Sequence, residues 1–534
     1  MMDGTTPAQL SHRQILTVMG ALMMGMLLAV LDQTIVSTAL PTIVGDLGGL
    51  NQLAWVVTAY LLASTISTPL YGKLGDLYGR KALFQFAISI FLVGSMLAGL
   101  SQSMVELIGF RALQGLGAGG LMVSAQAIIG DVVPPRERGR YQGMMGGVFA
   151  LASIVGPLLG GFLTDSVSWR WIFYINVPLG AAALFVTATV LHLPRHRAAH
   201  RVDWVGAALL AASTSSLILL TTWGGTQFAW LSPPILGLLA ACVILLAVFI
   251  AVERNVAEPI IPPHLFRNGV FNICGAVGFA VGLSMFGAIV FLPLFLQLVD
   301  GASATSSGLN LLPLMVGLLA ASIISGQVIS RVGRYKIFPI MGMFLAALGL
   351  SLLSTLDPHT SRLAISAYMV VLGAGMGMVM QVLVLAVQTA VEHRDLGVAT
   401  SSATFLRSIG GSLGIAIFGA IFSNQLSTNL RARLPASALS GGLDPRSLQG
   451  NPTVLQKLPS AIHSGLIQAV SDSLHVVFLT AVPFLAIGFV LTLFLREVPL
   501  RTHARGVLAE GLDLEGAGDI VDPAVGRLKE GAPV

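Results

Sequence analysis

Along the chain, charged and polar positions fall in short clusters, and between the clusters run long, almost unbroken apolar stretches. A helix that crosses a bilayer needs about 20 mostly apolar residues, because its backbone must satisfy its own hydrogen bonds where no water reaches. Stretches of that kind lie near 15–38, 52–71, 82–101, 104–128, 140–163, 171–192, 204–223, 232–252, 270–298, 306–330, 336–356, 364–388, 397–423 and 474–495. The pattern predicts an all-α polytopic membrane protein with fourteen spans, and an even count places both termini on one side.

Basic residues in short loops set the orientation. One alternating set of loops carries Lys73, Arg80 and Lys81; Arg136, Arg138 and Arg140; Arg195, Arg197 and Arg201; Arg254 and Arg267; Arg331, Arg334 and Lys336; and Arg394. The other set of short loops carries little beyond Arg170 and Arg362. The first set, and both termini, are expected in the cytoplasm. Residues 1–14 form a cytoplasmic N-terminus, and the tail 496–534, Gly-rich with scattered acids, is expected to be disordered. A long outer loop is expected at 424–473. Its Leu455, Leu458, Ile462, Leu466 and Ile467 suit either a short amphipathic helix on the membrane surface or a flexible loop.

Composition narrows the class. Of 534 residues, 55% are hydrophobic and 10% charged, against about 25% charged in soluble domains. With mean hydropathy +0.84, the surface must face lipid. The formal charge of +5 is not clustered as a nucleic-acid footprint would be. Cys242 and Cys274, both in apolar runs, suggest neither a disulfide framework nor a metal site. No small-residue cleavage site follows the long first apolar run, so no cleavable leader is expected. No HExxH, no P-loop, no GxSxG on a suitable turn and no inward His/Asp cluster stands in the chain, which argues against a membrane-embedded enzyme and against ATP-driven transport.

The chain also repeats itself. GKLGDLYGRKALF (Gly72 to Phe84) and GQVISRVGRYKIF (Gly326 to Phe338) align Gly72, Gly79 and Arg80 with Gly326, Gly333 and Arg334 at an offset of 254 residues. LGAG recurs at Leu116–Gly119 and Leu372–Gly375, at an offset of 256. Two echoes at nearly one offset predict two related halves in parallel orientation: a six-helix bundle at 15–192 and another at 270–495, with two inserted helices at 204–252. Parallel halves of this kind place a binding site between them near mid-membrane.

Several motifs carry a family resemblance. They are LDQTIVSTALP (Leu31 to Pro41) in the first helix, GKLGDLYGRK (Gly72 to Lys81) in the loop after the second, and RALQGLGAGG (Arg111 to Gly120) in the fourth. GPLLGG (Gly156 to Gly161) follows in the fifth and WRWIFYINVP (Trp169 to Pro178) at the start of the sixth. In order and on these helices, they resemble the fourteen-span drug:proton antiporters of the major facilitator superfamily, up to about Arg496. The resemblance implies the major facilitator fold and export of amphipathic drugs or toxic compounds across the inner cell membrane. It further implies alternating access driven by the proton gradient, no cofactor, and a monomer whose partners are lipid, protons and small molecules. A dedicated exporter of one endogenous metabolite or lipid would share the fold, and an uptake symporter is disfavoured by GPLLGG. Two departures stand out: Leu77 where the loop motif is usually basic, and Ser37 where the first-helix motif often has Asn. The second helix also lacks the acid some members carry and the thirteenth has Arg407 instead, which argues against multivalent cations as cargo.

Among the charged residues, Asp32 interrupts an apolar first helix, at an insertion cost of about 2.5–3.5 kcal/mol. Burial favours its neutral form, so proton uptake and release near neutral pH suits it; a carboxylate tied permanently to hydroxyls or an arginine is the other reading. Arg111, about 10 Å in from the outer end of the fourth helix at 1.5 Å per residue, lies at a comparable depth and is its natural partner. Arg111 could instead bind carbonyls and steady its own helix. Gly72, Asp76, Gly79, Arg80 and Lys81 are expected to form a conformational switch, with Asp76 meeting a helix N-terminus or an arginine of the other half; positive-inside topology alone is the other reading for Arg80 and Lys81, but not for Asp76. In the resembled family Gly156, Pro157, Gly160 and Gly161 seal and hinge the fifth helix against the other half; an ordinary close-packed kink is the alternative. Arg407, Gln126, Gln297, Gln381 and Gln388 are candidates for the cavity wall, or else for interhelical contacts. Met376, Met378 and Met380 are expected in packing.

Overall fold

The computed structural model describes residues 12–49, 52–191, 202–225, 227–299, 309–433 and 460–500. The apolar runs are helices α1 (His12–Leu47), α2 (Leu53–Tyr78), α3 (Arg80–Leu100), α4 (Met104–Val132), α5 (Pro135–Ser166) and α6 (Trp171–Val190). After these come α7 (Trp204–Trp223), α8 (Pro233–Glu253), α9 (Gly269–Leu298) and α10 (Leu312–Val332). The last four are α11 (Ile337–Ser354), α12 (Arg362–Ala390), α13 (Leu396–Arg433) and α14 (Ser460–Leu493). Among the described residues, 13 helices are long and apolar enough to cross a membrane, and the 26-residue α2, packed along α4, runs with them.

Local chemistry sets several ends. Ser103 caps α4 by accepting from Glu106 N (3.3 Å), while Glu106 Oε2 accepts from Gln102 N (2.8 Å). Asn268 opens α9 by accepting from Val270 N (2.9 Å) and Phe271 N (3.3 Å). Gly79 (φ 96°) and Gly333 (φ 76°) turn the chain after α2 and α10, at matched places in the repeat, in a region that a Cβ disfavours.

The packing has the twofold logic of the repeat. Within the first half α2 packs on α4, α3 on α4, and α1 on α5 and α6; within the second, α10 packs on α12, α11 on α12, and α9 on α13 and α14. The halves meet along two seams that exchange under the same operation, α2 with α13 and α5 with α10. This is the major facilitator fold of two six-helix bundles with two inserted helices. The insertion, α7 and α8, is a hairpin whose α7 lies against both α2 and α13, so it covers one seam from outside. Lys73 Nζ of α2 pairs with Glu258 (2.5 Å) just past α8, and Ala207, Leu210, Phe249, Ile260 and Phe405 close an apolar cluster there. On its far side α8 exposes Leu239, Val243, Ile244 and Val248, which only lipid can solvate cheaply.

The outer loop expected at 424–473 is shorter than the sequence suggested. Helix α13 continues to Arg433 and α14 begins at Ser460, so both ends of that span are helical. Leu426, Leu430, Leu466 and Val470 are buried together, and Asn429 Nδ2 donates to Ser473 Oγ (3.0 Å). Arg433 pairs with Asp472. Leu466 therefore faces the neighbouring helix rather than a membrane surface. Leu455 and Leu458, and the tail from Arg501, lie outside the described residues.

Candidate functional site

Between the halves lies a cavity of about 1330 Å³, counting the space open at its mouth. Four helices of each half line it: α1, α2, α4 and α5, and α9, α10, α12 and α13. Its wall is mostly apolar and adaptable, with Met26, Met122, Met145, Met285 and Met380 beside Phe149 and Leu318. Its polar points are Gln33, Gln126, Gln381 and Arg407, the Tyr60 phenol and a set of Ser and Thr hydroxyls. Met380, expected in packing, is thus on the wall, whereas Met376 is buried. Gln388 is not on the wall: its Nε2 donates to Gln126 O (3.0 Å) across the halves and to Thr400 Oγ1 (3.3 Å). The side chain of Gln297 lies outside the described residues.

Asp32 sits just behind this wall, fully buried. Its Oδ2 pairs with Arg111 Nη1. Its Oδ1 accepts from Gln114 Nε2 (2.7 Å) and from Asn176 Nδ2 (3.1 Å). All three partners are donors, so the cluster fits a carboxylate. Arg111 is itself held by Gln114 Oε1 (2.8 Å) and lies over the Tyr60 ring at 4.1 Å. Tyr60 donates to Ala29 O (2.9 Å), and both residues line the cavity. One aromatic ring thus separates the charge cluster from the cavity. Gln114, Asn176 and Tyr60 were missed in the sequence. Gln114 follows Arg111 by one helical turn and Asn176 stands inside WRWIFYINVP, but neither spacing shows that they reach Asp32.

At the basic end the halves are tied together. Asp76, at the end of α2, accepts from the backbone of Gly397 (3.1 Å) and Val398 (2.8 Å) at the N-terminus of α13, where four orphan N–H groups and the helix dipole favour an anion. Arg80 donates to Asp76 (2.7 Å), to Asp131, to Ala127 O (3.0 Å) and to His393 O (3.4 Å). A Cβ on Gly72 would stand 2.0 Å from Ser401 Oγ and 2.7 Å from Gly397 O, so only glycine permits this approach. Lys81 is apart from the seam, donating to Ala188 O (2.9 Å) of its own half.

The second seam repeats the first with different side chains. Gly326, the partner of Gly72 in the repeat, meets Gly139 O, at 2.2 Å from a Cβ placed there. Ser330 stands at the same offset of 254 from Asp76, and its Oγ accepts from Arg140 N (3.1 Å) at the start of α5. Arg136 adds bonds to Ser330 O (3.3 Å) and Arg331 O (3.1 Å). A carboxylate fastens one seam and a hydroxyl the other.

The glycines of GPLLGG do not meet the other half. A Cβ on Gly156 would stand 2.0 Å from Thr34 Oγ1, and one on Gly160 2.2 Å from Thr38 Oγ1, both on α1 of the same half. Gly161 faces open space, next to the Pro157 turn of α5. The face of α5 that meets α10 is instead set by Gly139, Gly143 and Gly146, about three to five turns nearer the basic end.

Residues 22–415, a span that includes every residue lining the cavity, match the family model of the Major Facilitator Superfamily. An MFS-type transporter of Mycobacterium tuberculosis is 48% identical over 480 residues, covering 90% of this chain and 69% of its own length. The multidrug transporter protein MdtP of Bacillus subtilis is 41% identical over 502 residues, covering 90% and 92%. The solved structure of the proton:xylose symporter XylE superposes with a TM-score of 0.59 at 15% identity, covering 92% of this chain and 98% of its own, a likeness of fold. Two bundles, a central cavity and a matched family model over all of its wall make this chain a multi-pass membrane transporter that belongs to the Major Facilitator Superfamily.

Proposed function

We propose that the chain is a proton-coupled antiporter that exports amphipathic small molecules from the cytoplasm across the inner cell membrane by alternating access. The observation that carries the reading is the placement of the Asp32–Arg111 cluster behind Tyr60, one ring away from the cavity wall. Protonation of Asp32 would weaken its bond to Arg111 and free the guanidinium for another acceptor, loosening the wall at Tyr60. Cargo pressing on Tyr60 would act on the same cluster from the other side. Such mutual dependence is what exchange requires. The state described here has its basic end fastened at both seams, which supports an outward-facing form if the basic loops and both termini are cytoplasmic. The name of MdtP supports multidrug cargo. The chain works as a monomer on the proton gradient, with no cofactor. The test is drug accumulation by purified protein in vesicles with an imposed pH gradient, with and without an uncoupler. Transport that ignores the gradient would remove the antiport reading.

A further inference from the structure

Arg407, half-buried, stands apart from the buried arginines. Arg80 and Arg111 pair with acids, and Arg138 donates to Val133 O (2.9 Å) and Gly130 O. Arg407, on the cavity wall, makes no hydrogen bond and no ion pair among the described residues. It is also the one charged side chain lining the cavity among those residues. Its position is fixed: a Cβ on Gly282 of α9 would stand 2.1 Å from Arg407 O and 3.2 Å from its Cγ, so the stem rests on bare α9 backbone. Gly410 and Gly414 hold the same close approach, to Phe279 O and Leu283 O.

The rest of the wall offers no anion to meet it. Thr404, Ser408 and Ser412 spend their hydroxyl protons on the carbonyls one turn earlier, which leaves them as acceptors facing the cavity. Gln126 and Gln381 each have a buried Oε1 without a partner. A guanidinium kept partly out of water with its donors unmet is costly, whereas a bound acceptor satisfies two of those donors at once. Asp32, the acid that would attract a cation, is sealed behind Tyr60 and already taken by three donors.

We infer that Arg407 heads an acceptor subsite in the cavity, and that the cargo it selects is an amphipathic molecule with a carboxylate or similar anionic group, in preference to organic dications. The apolar body of such a molecule lies on the methionines and Phe149, its anionic end takes the guanidinium fork, and an N–H or O–H elsewhere on it donates to the free Oε1 of Gln126 or Gln381. This inference rests on the cavity being the cargo site of the proposed exporter, but not on proton coupling.

The test uses four dansyl probes with one common body: dansylglycine, its neutral amide, a monoquaternary analogue and a bisquaternary analogue. Equilibrium binding is measured on the full-length protein in detergent, with no gradient. Dansylglycine is expected to bind on the order of tenfold more tightly than the amide, and the bisquaternary probe most weakly. Arg407→Gln should collapse the carboxylate-to-amide ratio to near one, and Arg407→Lys should keep part of it, which separates lost charge from lost folding. Equal binding of all four probes, best binding of the dication, no binding of dansylglycine, or a carboxylate preference that survives Arg407→Gln each overturns the subsite. Intact binding order with no gradient-driven transport would instead sink the antiport reading and leave the subsite standing.

Discussion

At Asp32, a carboxylate in an apolar helix is made tolerable by three donors, and each contributes differently. Asp32→Asn removes the carboxylate and sets an amide N–H against donors. Gradient-driven exchange is expected to fall at least a hundredfold, while the protein still inserts and still equilibrates cargo in counterflow; the two assays in the same vesicles separate coupling from folding. Gln114→Ala and Asn176→Ala leave the ion pair and remove one neutral donor each. Such a loss is worth about 1–3 kcal/mol, so exchange should slow by roughly tenfold rather than vanish. Rates of the two variants indistinguishable from wild type would mean that these amides only fill space. The sequence made Asp32, Arg111 and Arg407 legible because a charge in an apolar run has few structural excuses. The amides and Tyr60 were not, because an isolated Gln or Tyr in a helix is compatible with a plain interhelical bond, and only the fold brings four helices to one carboxylate. Lys81 had two readings in the sequence, since topology alone explains a basic residue in a short loop, and the structure gives it a carbonyl in its own half.

At the level of the elements, the two seams are one design built twice with unequal strength. Asp76 meets two backbone N–H groups of α13 and Arg80; Ser330 meets one N–H of α5. Asp76→Asn should therefore open the basic end about tenfold more often, and Ser330→Ala only a fewfold, read as cysteine labelling from each side of the membrane. Gly72→Ala should act in the same direction and more strongly, since its Cβ meets the carbonyl of Gly397, which cannot rotate away. Equal accessibility in all three variants would show that the seam is not the latch. The glycine echoes of the repeat announced these seams, since Gly72 and Gly326 make the matched approaches. The role of GPLLGG was less legible: spacing four apart predicts that a helix touches another closely, not which one, and the partner proved to be α1. Helix ends were hardest where hydropathy fades while packing continues. Leu426, Leu430 and Leu466 sustain α13 and α14 past the apolar runs because they bury one another, which a window of hydropathy cannot see.

For the whole molecule, the inferred cargo changes the electrical work of a cycle. Let n protons enter for each molecule exported. The protein returns to its starting state, so Arg407 and Asp32 carry no net charge over a cycle. A neutral cargo then moves n charges inward, and a monoanion leaving the cell moves n + 1. Each charge is worth about 2.3 kcal/mol per 100 mV, so each adds roughly fiftyfold per 100 mV to the gradient the transporter can sustain. A dication leaving would instead subtract two charges and be opposed by an inside-negative potential. The measurement uses vesicles at equal pH on both sides, with the potential set by a potassium gradient and an ionophore, and reads the steady cargo ratio against voltage. The slope for dansylglycine should exceed that for its amide by one charge. Arg407→Gln should slow the approach of dansylglycine to its steady ratio but leave the slope, because the slope counts charges crossing the membrane and the arginine only decides how readily a molecule is admitted. Equal slopes for the two probes would mean that the carboxylate crosses with a compensating proton, and the membrane potential would then give an anionic cargo no advantage.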